Sequence, residues 1–482
     1  MFKKLISLLA LLLVLTSLAA AQGGRPAELD AVVEQSLKAF GAPGVAVGVM
    51  RDGKVVLARG YGVRDTKRDL PVTLHTRFAI GSVTKSFTAS VAATLVDEGK
   101  LDWDRPVREY LPWFRLQDRA ATEMITVRDM LTHRSGLPRH DFLRFAVPLE
   151  RQELVLRLAW LEPSRPFRAA YQYNNLMYVA AGYLEGAMAG STWEQLVSDR
   201  IFKPLGMAES NTSVLDSQKT DDYAKPYERR KGAVEEVEFY VYQKFGVGPN
   251  GAVNSSIQDM LKYLEFQMGD GKANGKQLVS AAQMREMHTP QFVTPSGGVP
   301  EFDLTSSGLG WDIGSYRNHK VIQHGGSIAG FRAWIGYFPA EKLGLVALSN
   351  MGTSLPEALA LTLADRLLGL EPIDWTKRMN RPEPERKLPP PHAGTHPSRP
   401  LKDFAGEYLH PAYGVARIEA QEDGLNVIFP ARQIKLSHYH YDIFQGEGGW
   451  LVQFVMDRAG KIESVLLPVE PAARPLVFAR KK

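Results

Sequence analysis

The run LDAVVEQSLKAFGAPGVAVGVMRDGKVVLA, Leu29–Ala58, decides how the rest of the chain is read. Leu29, Val32, Val33, Leu37 and Phe40 recur at helical spacing and stop at Gly41, which predicts an amphipathic helix. Two β-rich runs follow, Val45–Met50 and Lys54–Ala58, and the Asp52-Gly53 pair between them reads as a hairpin turn. Far along the chain, Val321–Gln323, Trp334–Phe338 and Leu343–Leu348 look like three further strands. Ser354-Leu355-Pro356-Glu357 then offers an N-cap with an acid three residues on, and a helix runs to a stop at Gly369. Helix and hairpin at one end, strands and helix at the other, predict one α+β domain whose sheet is built from both chain ends. The middle is an insertion with helices at Phe87–Glu98, Val127–Thr132, Arg151–Trp160, Met177–Met188 and Ile257–Gln267.

Outside this unit the chain changes character. Met1-Phe2-Lys3-Lys4, the apolar run Leu5–Leu18 and Ala19-Ala20-Ala21 have the layout of a secretory leader, residues 1–21, with cleavage expected before Gln22. The apolar run is shorter than the roughly 20 residues a spanning helix needs. Export to the periplasm or medium is therefore expected, with no membrane span left after cleavage. The α+β unit is expected over residues 25–375. A proline-rich linker follows over 376–400, where Pro389-Pro390-Pro391 is the densest run. Residues 401–482 read as an all-β module, with strands at Gly406–Tyr408, Val415–Glu419, Leu425–Phe429, Ile434–His438, Leu451–Met456 and Ser464–Val469. The formal net charge is +5, and losing Lys3 and Lys4 with the leader weakens it further. No basic cluster is interleaved with aromatics, so a nucleic-acid partner is not expected. The absence of Cys excludes disulfides, thiolate zinc sites and a Cys nucleophile.

Three short motifs carry chemistry. Ser82-Val83-Thr84-Lys85 is the only S-x-x-K in the chain. Gly81 precedes it, and Phe87, Val91 and Leu95 continue a helix whose three-residue spacing brings the Lys85 amine to the Ser82 hydroxyl. A Lys held neutral by burial can take the proton of Ser82 and make it a nucleophile. The alternative is an N-cap Ser with an exposed Lys. In Tyr173-Asn174-Asn175, a phenol beside a cationic amine can pass a proton to the leaving group, while Asn175 orients Lys85 and donates to a substrate amide. The alternative is a core Tyr with turn-forming Asn residues. In His324-Gly325-Gly326-Ser327, at the end of the strand Val321–Gln323, the glycines allow close approach of a substrate backbone. The N–H of Ser327 would then complete an oxyanion hole with that of Ser82, and His324 would supply a donor near the scissile group. The alternative is a turn joining two strands.

In this order the three motifs resemble those of the serine β-lactamase and penicillin-binding protein superfamily, particularly its class C-like branch of esterases and D-aminopeptidases, whose members carry S-x-x-K, Y-x-N and K-T-G or H-x-G. The flanking text resembles it too, in Phe78-Ala79-Ile80-Gly81, Leu131-Thr132-His133-Arg134-Ser135-Gly136-Leu137-Pro138, Gly308-Leu309-Gly310-Trp311 and Gly330-Phe331 through Ser349-Asn350. The resemblance covers roughly Ala27–Leu368. It implies a β-lactamase/transpeptidase-like antiparallel sheet flanked by terminal helices. The tail, with Phe404-Ala405-Gly406-Glu407-Tyr408 and Tyr413-Gly414, resembles the lipocalin-like barrel appended to such hydrolases.

One departure bears on substrate. His324 and Gly325 stand where lactam-specialised members have the Lys and Thr that hold the penicillin carboxylate. The resemblance therefore implies a peptidase or esterase, acting through a Ser82 acyl-enzyme on a short peptide or ester, with no metal or organic cofactor. A β-lactamase, or a penicillin-binding sensor without turnover, are the alternatives. No Glu stands out as a dedicated deacylation base, so Tyr173 would assist both half-reactions. His133 and His140 read as parts of a structural turn, and His438-x-His440 as surface residues without a third ligand. An α/β-hydrolase elbow is not apparent around Ser327.

Overall fold

The computed structural model describes residues 26–242, 246–295, 299–381 and 388–482. The expected leader, residues 1–21, lies outside the described residues. The predicted sheet has nine strands, in spatial order Phe292–Val293, Phe302–Ser307, Asp312–Tyr316, His319–Ile328, Phe331–Phe338, Leu343–Ser349, Gly44–Arg51, Lys54–Asp65 and Leu70–Pro71. Its centre is the seam between the two chain ends, where Val45 pairs antiparallel with Ser349 and Arg51 with Leu343. Gly44–Arg51 is covered on both faces, as its unbroken apolar run requires. Val45, Val47 and Val49 pack in a cluster with Phe40, Leu359 and Leu363 of the terminal helices Pro26–Phe40 and Leu355–Leu368, while Ala46 and Met50 join the core on the opposite side. This alternation follows from the two-residue repeat of a strand.

Two local expectations change. The strand predicted to end at Gln323 runs from His319 to Ile328, because Gly325 and Gly326 continue the ladder opposite Trp334 and Ala333. On its other side pairing stops at Asp312 opposite Gln323, so from His324 onward this strand has one ladder partner and one free edge. Ser354 makes no side-chain cap on the helix Leu355–Leu368, and Glu357 instead pairs with Arg332 at 2.6 Å. The stop at Gly369 is as expected, in a left-handed conformation.

The helix Thr84–Asp97 is buried from Thr84 to Leu95 and forms the axis of the helical region. Burial all round explains why small hydroxyl residues alternate with apolar ones on it. Each spends its hydrogen locally: Ser86 on Val83 O, Thr88 on Pro249 O and Ser90 on Ser86 O. The helix predicted at Val127–Thr132 spans Val127–Leu131 and is fixed by a capping box of Thr126 and Asp129. Among the described residues no helix is long and apolar enough to cross a membrane.

A short helix, Trp375–Met379, crosses the position where the linker was expected to begin, and Trp375 is buried with its Nε1–H on Asp365 at 2.9 Å. The tail is a closed antiparallel barrel of eight strands, in which Tyr408 of the first pairs with Arg480 of the last. Six of the strands were predicted. Ile443–Gly446 and Leu476–Arg480 were not, the first being short and polar at its end and the second lying behind Pro475. The interior is filled. Phe404 lies 4.9 Å from Phe454 and 5.5 Å from Phe444, and Tyr408 and Tyr413 are buried beside them.

Candidate functional site

Ser82 sits in a 3-10 turn, Gly81–Val83, that joins the short strand Phe78–Ala79 to the helix Thr84–Asp97. Gly81 has φ +51°, and a Cβ there would lie 2.8 Å from Ser327 N. Gly326 is more confined still: a Cβ on it would lie 1.9 Å from Ile80 O and 3.3 Å from Ser82 N. Only two glycines let the nucleophile turn and the free edge of His319–Ile328 approach this closely. The contact brings the amides of Ser82 and Ser327 together at the motif the sequence singled out.

Lys85 is fully buried, and its Nζ has three neighbours: Ser82 Oγ at 3.1 Å, Asn175 Oδ1 at 2.8 Å and Asn250 O at 2.9 Å. Burial is the main cause that holds it well below the usual lysine range, with the charges of Arg144 and Arg139 adding to it and Asp141 and Asp312 opposing. A neutral amine has two hydrogens and one lone pair. Two of its neighbours, a carbonyl and an amide oxygen, can only accept. In that neutral form the hydrogens go to them, and the lone pair is left for Ser82 Oγ and its hydroxyl proton.

Asn175 is the first residue of the helix Asn175–Ala189, capped by Asn174 Oδ1 on Met177 N at 2.9 Å. Asn174 also donates to Leu137 O and Pro138 O, and its own N–H goes to His133 Nδ1 at 3.0 Å, which ties the Tyr173 motif to the Leu131–Pro138 loop. Asn175 Oδ1 accepts from Lys85 Nζ. Its Nδ2, however, donates to Asp141 Oδ1 at 2.7 Å, leaving one N–H for the donation to substrate that the sequence suggested. Burial raises the carboxyl of Asp141, but the charges of Arg144 and Arg139 and the Asn175 bond outweigh it and bring it down to about 2.

Tyr173 is held between the Lys85 amine and the Arg139 guanidinium, with Lys85 Nζ and Arg139 Cζ each 4.8 Å from its ring centre, and the His133 ring 4.4 Å away. Burial pushes its phenol above the usual tyrosine range, while a hydrogen bond with Ser82 and the charge of Arg139 pull the other way. The phenol is thus neutral at pH 7 and in contact with the nucleophile.

His324 is buried and donates from Nδ1 to Gly325 O at 2.6 Å. Burial, then the Lys85 charge, bring it down to about 4. It is neutral at pH 7 with a bare Nε2, so the donor expected from sequence is an acceptor instead. Ser327 itself is exposed, and its backbone rather than its hydroxyl faces the nucleophile turn.

Asp141, Arg139, Arg144 and Asn250 escaped the sequence reading. Asn250 acts through its carbonyl, which carries no side-chain signature. Asp141 stands amid ordinary surface-like charges in Arg139-His140-Asp141, and only the fold brings it to Asn175. His133 and His140 both adopt left-handed conformations, φ 58° and 47°. His133 packs on Tyr173. His140 Nδ1 lies 3.0 Å from Tyr413 Oη, and its N–H donates to Glu470, so it anchors the barrel beside Asp141. His438 Nε2 is occupied by Tyr441 O and His440 Nδ1 by His392 N, away from this site.

The family model described as Beta-lactamase matches residues 29–370, and one described as a domain of unknown function (DUF3471) matches residues 390–480. The unguisins hydrolase ungD' of Aspergillus campestris is 29% identical over 426 residues, 81% of this chain and 77% of that protein. The protein flp of Staphylococcus aureus is 24% identical over 331 residues, 68% of this chain and 63% of flp. The structure of an octameric penicillin-binding protein homologue from Pyrococcus abyssi superposes with a TM-score of 0.63 at 24% identity, covering 94% of this chain and 99% of that one.

Proposed function

The chain belongs to the β-lactamase family, and from that premise we propose that it is an exported serine peptidase or esterase, of the D-aminopeptidase-like kind, working through an acyl-enzyme on Ser82. The observation that carries this is the environment of Lys85, whose two fixed acceptors direct its lone pair at Ser82 Oγ.

In the first step Ser82 Oγ attacks the carbonyl carbon of an amide or ester and its proton passes to Lys85. The amides of Ser82 and Ser327 hold the developing oxyanion. The Tyr173 phenol, touching Ser82, gives a proton to the leaving nitrogen or oxygen and recovers one from Lys85, so the amine is again free. Water then attacks the acyl carbon by the same route in reverse roles, and the acid product leaves. Tyr173 serves both halves because it lies between Lys85 and Ser82 and can pass a proton either way. The relative named as a hydrolase supports turnover rather than a stable adduct. His324 and Gly325 in place of Lys and Thr leave no cation there for a lactam carboxylate, which favours peptides and esters.

A panel of nitrophenyl esters, D- and L-amino-acid amides and nitrocefin, assayed on wild type and Ser82→Ala, tests the reading. It predicts ester or amide hydrolysis that Ser82→Ala abolishes, with nitrocefin turnover near background. Fast nitrocefin turnover, or a penicillin adduct without any ester or peptide hydrolysis, contradicts it. Export is checked by N-terminal sequencing of the protein recovered outside the cytoplasm, with Gln22 expected first.

A further inference from the structure

A cleft of about 750 Å³ reaches the end of the strand that carries Ser327, and its two walls come from different domains. One wall carries Phe142, Phe145, Phe239 and Tyr240 from the hydrolase domain, and the other carries Ile434 and Trp450 from the barrel. Its inner end is marked by two residues adjacent to the site. Ala329 stands two positions beyond Ser327, and Phe142 directly follows Asp141, the partner of Asn175.

The walls are held rigidly. Phe142 wedges into the barrel, 5.0 Å from Trp450 and 5.1 Å from Phe429. Ala431 N–H donates to Ala146 O at 3.0 Å, which clips the barrel to the end of the helix Asp141–Ala146. Tyr240 Oη donates to Arg144 O at 2.6 Å and its ring meets Phe145 edge-on at 5.0 Å. The only ion pair at the rim, among the described residues lining the cleft, is the loose Arg432–Glu447 contact at 3.8 Å, both side chains being more than half exposed. The lining is therefore mostly aromatic and apolar, with Glu238, Arg432 and Glu447 as its charged members, and of the size typical for small-molecule sites, while the barrel's own lumen is already filled by Phe404, Phe444 and Phe454.

We propose that this cleft is a substrate subsite completed by the C-terminal barrel, and that it takes an aromatic or bulky apolar side chain of the peptide or ester whose carbonyl Ser82 attacks. The proposal rests on the Ser82 reading. A flat ring entering the cleft meets the packed Phe142–Trp450 pair on one side and the Phe145–Tyr240 pair on the other, with offset or edge-on contacts. The barrel thus acts as a specificity element rather than as a carrier of its own ligand.

The test reads the ratio of kcat/KM for a phenylalanyl nitroanilide or ester to that for its alanyl counterpart. Wild type is expected to favour the aromatic substrate by tenfold or more, and Trp450→Ala to lower that ratio about tenfold, chiefly through KM. Ala431→Trp, which fills the cleft from the barrel side, gives the same fall without removing a wall. A direct binding readout comes from Ser82→Ala, which should bind the phenylalanyl substrate tightly enough to shift tryptophan fluorescence and the alanyl one far less. An unchanged ratio in both Trp450→Ala and Ala431→Trp, with hydrolysis still lost in Ser82→Ala, overturns the subsite and leaves the Ser82 reading standing. Hydrolysis retained in Ser82→Ala overturns that reading itself.

Discussion

Gly326→Ala isolates the oxyanion hole. The added methyl would lie 1.9 Å from Ile80 O, whereas a carbon and a carbonyl oxygen settle at about 3.3 Å. The strand must retreat by the difference, about 1.4 Å, from the turn that carries Ser82. Misplacing a catalytic group by about 1 Å costs on the order of 10²-fold, and losing one oxyanion donor costs about 10²–10³ in kcat. The variant should therefore lose on the order of 10²–10³ in kcat, about 2.7–4 kcal/mol of transition-state stabilisation. Gly326 has no positive φ, so alanine brings no backbone penalty there, and only packing strain of about 1–3 kcal/mol is expected against stability. Steady-state ester hydrolysis and a thermal melt of the same sample separate the two effects. Gly325→Ala is the control, because a Cβ there meets nothing closer than Glu357 Oε1 at 3.7 Å. If Gly326→Ala melts like wild type and keeps kcat within about threefold, well short of the loss expected for a missing donor, the oxyanion assignment is refuted.

Two other consequences concern protons. kcat/KM should rise with pH as Lys85 loses its proton, with an inflection well below the ordinary lysine range. Asp141→Asn should move it lower still, because the Asp141 charge favours the protonated amine; a pH–rate profile with no inflection below pH 10 would contradict this. Glu185 is buried, both carboxyl oxygens lack partners, and burial raises it well above the usual carboxylate range. An acid raised in the folded state loses its contribution as pH climbs through that value, so wild-type stability should decline toward alkaline pH. Glu185→Met should flatten the decline and add about 1–3 kcal/mol, read by urea denaturation at several pH values; equal or lower stability at every pH would count against it.

The sheet was legible because unbroken apolar runs at the two chain ends call for central strands covered on both faces, and Val45 pairs with Ser349 across that seam. The approach of Lys85 to Ser82 was legible because a helix fixes the distance between residues three apart. What the sequence concealed has a common cause. Asn250 contributes a carbonyl, which no side chain announces, and Asp141 reaches Asn175 only across the fold. The tautomer of His324 was likewise hidden, since it depends on a bond to the neighbouring Gly325 carbonyl. The two missed barrel strands are short or lie behind a proline, so pairing with the neighbouring strands, rather than local preference, holds them in place.

The central claim is a covalent bond to Ser82. Trypsin cuts after Arg77 and Lys85 to release Phe78–Lys85, which holds Ser82 as its single serine. Acid quenching during turnover of an activated ester, followed by mass spectrometry of the digest, should show the acyl mass on that peptide and none in Ser82→Ala. An acyl group on any other peptide, or full hydrolysis by Ser82→Ala, would contradict the account.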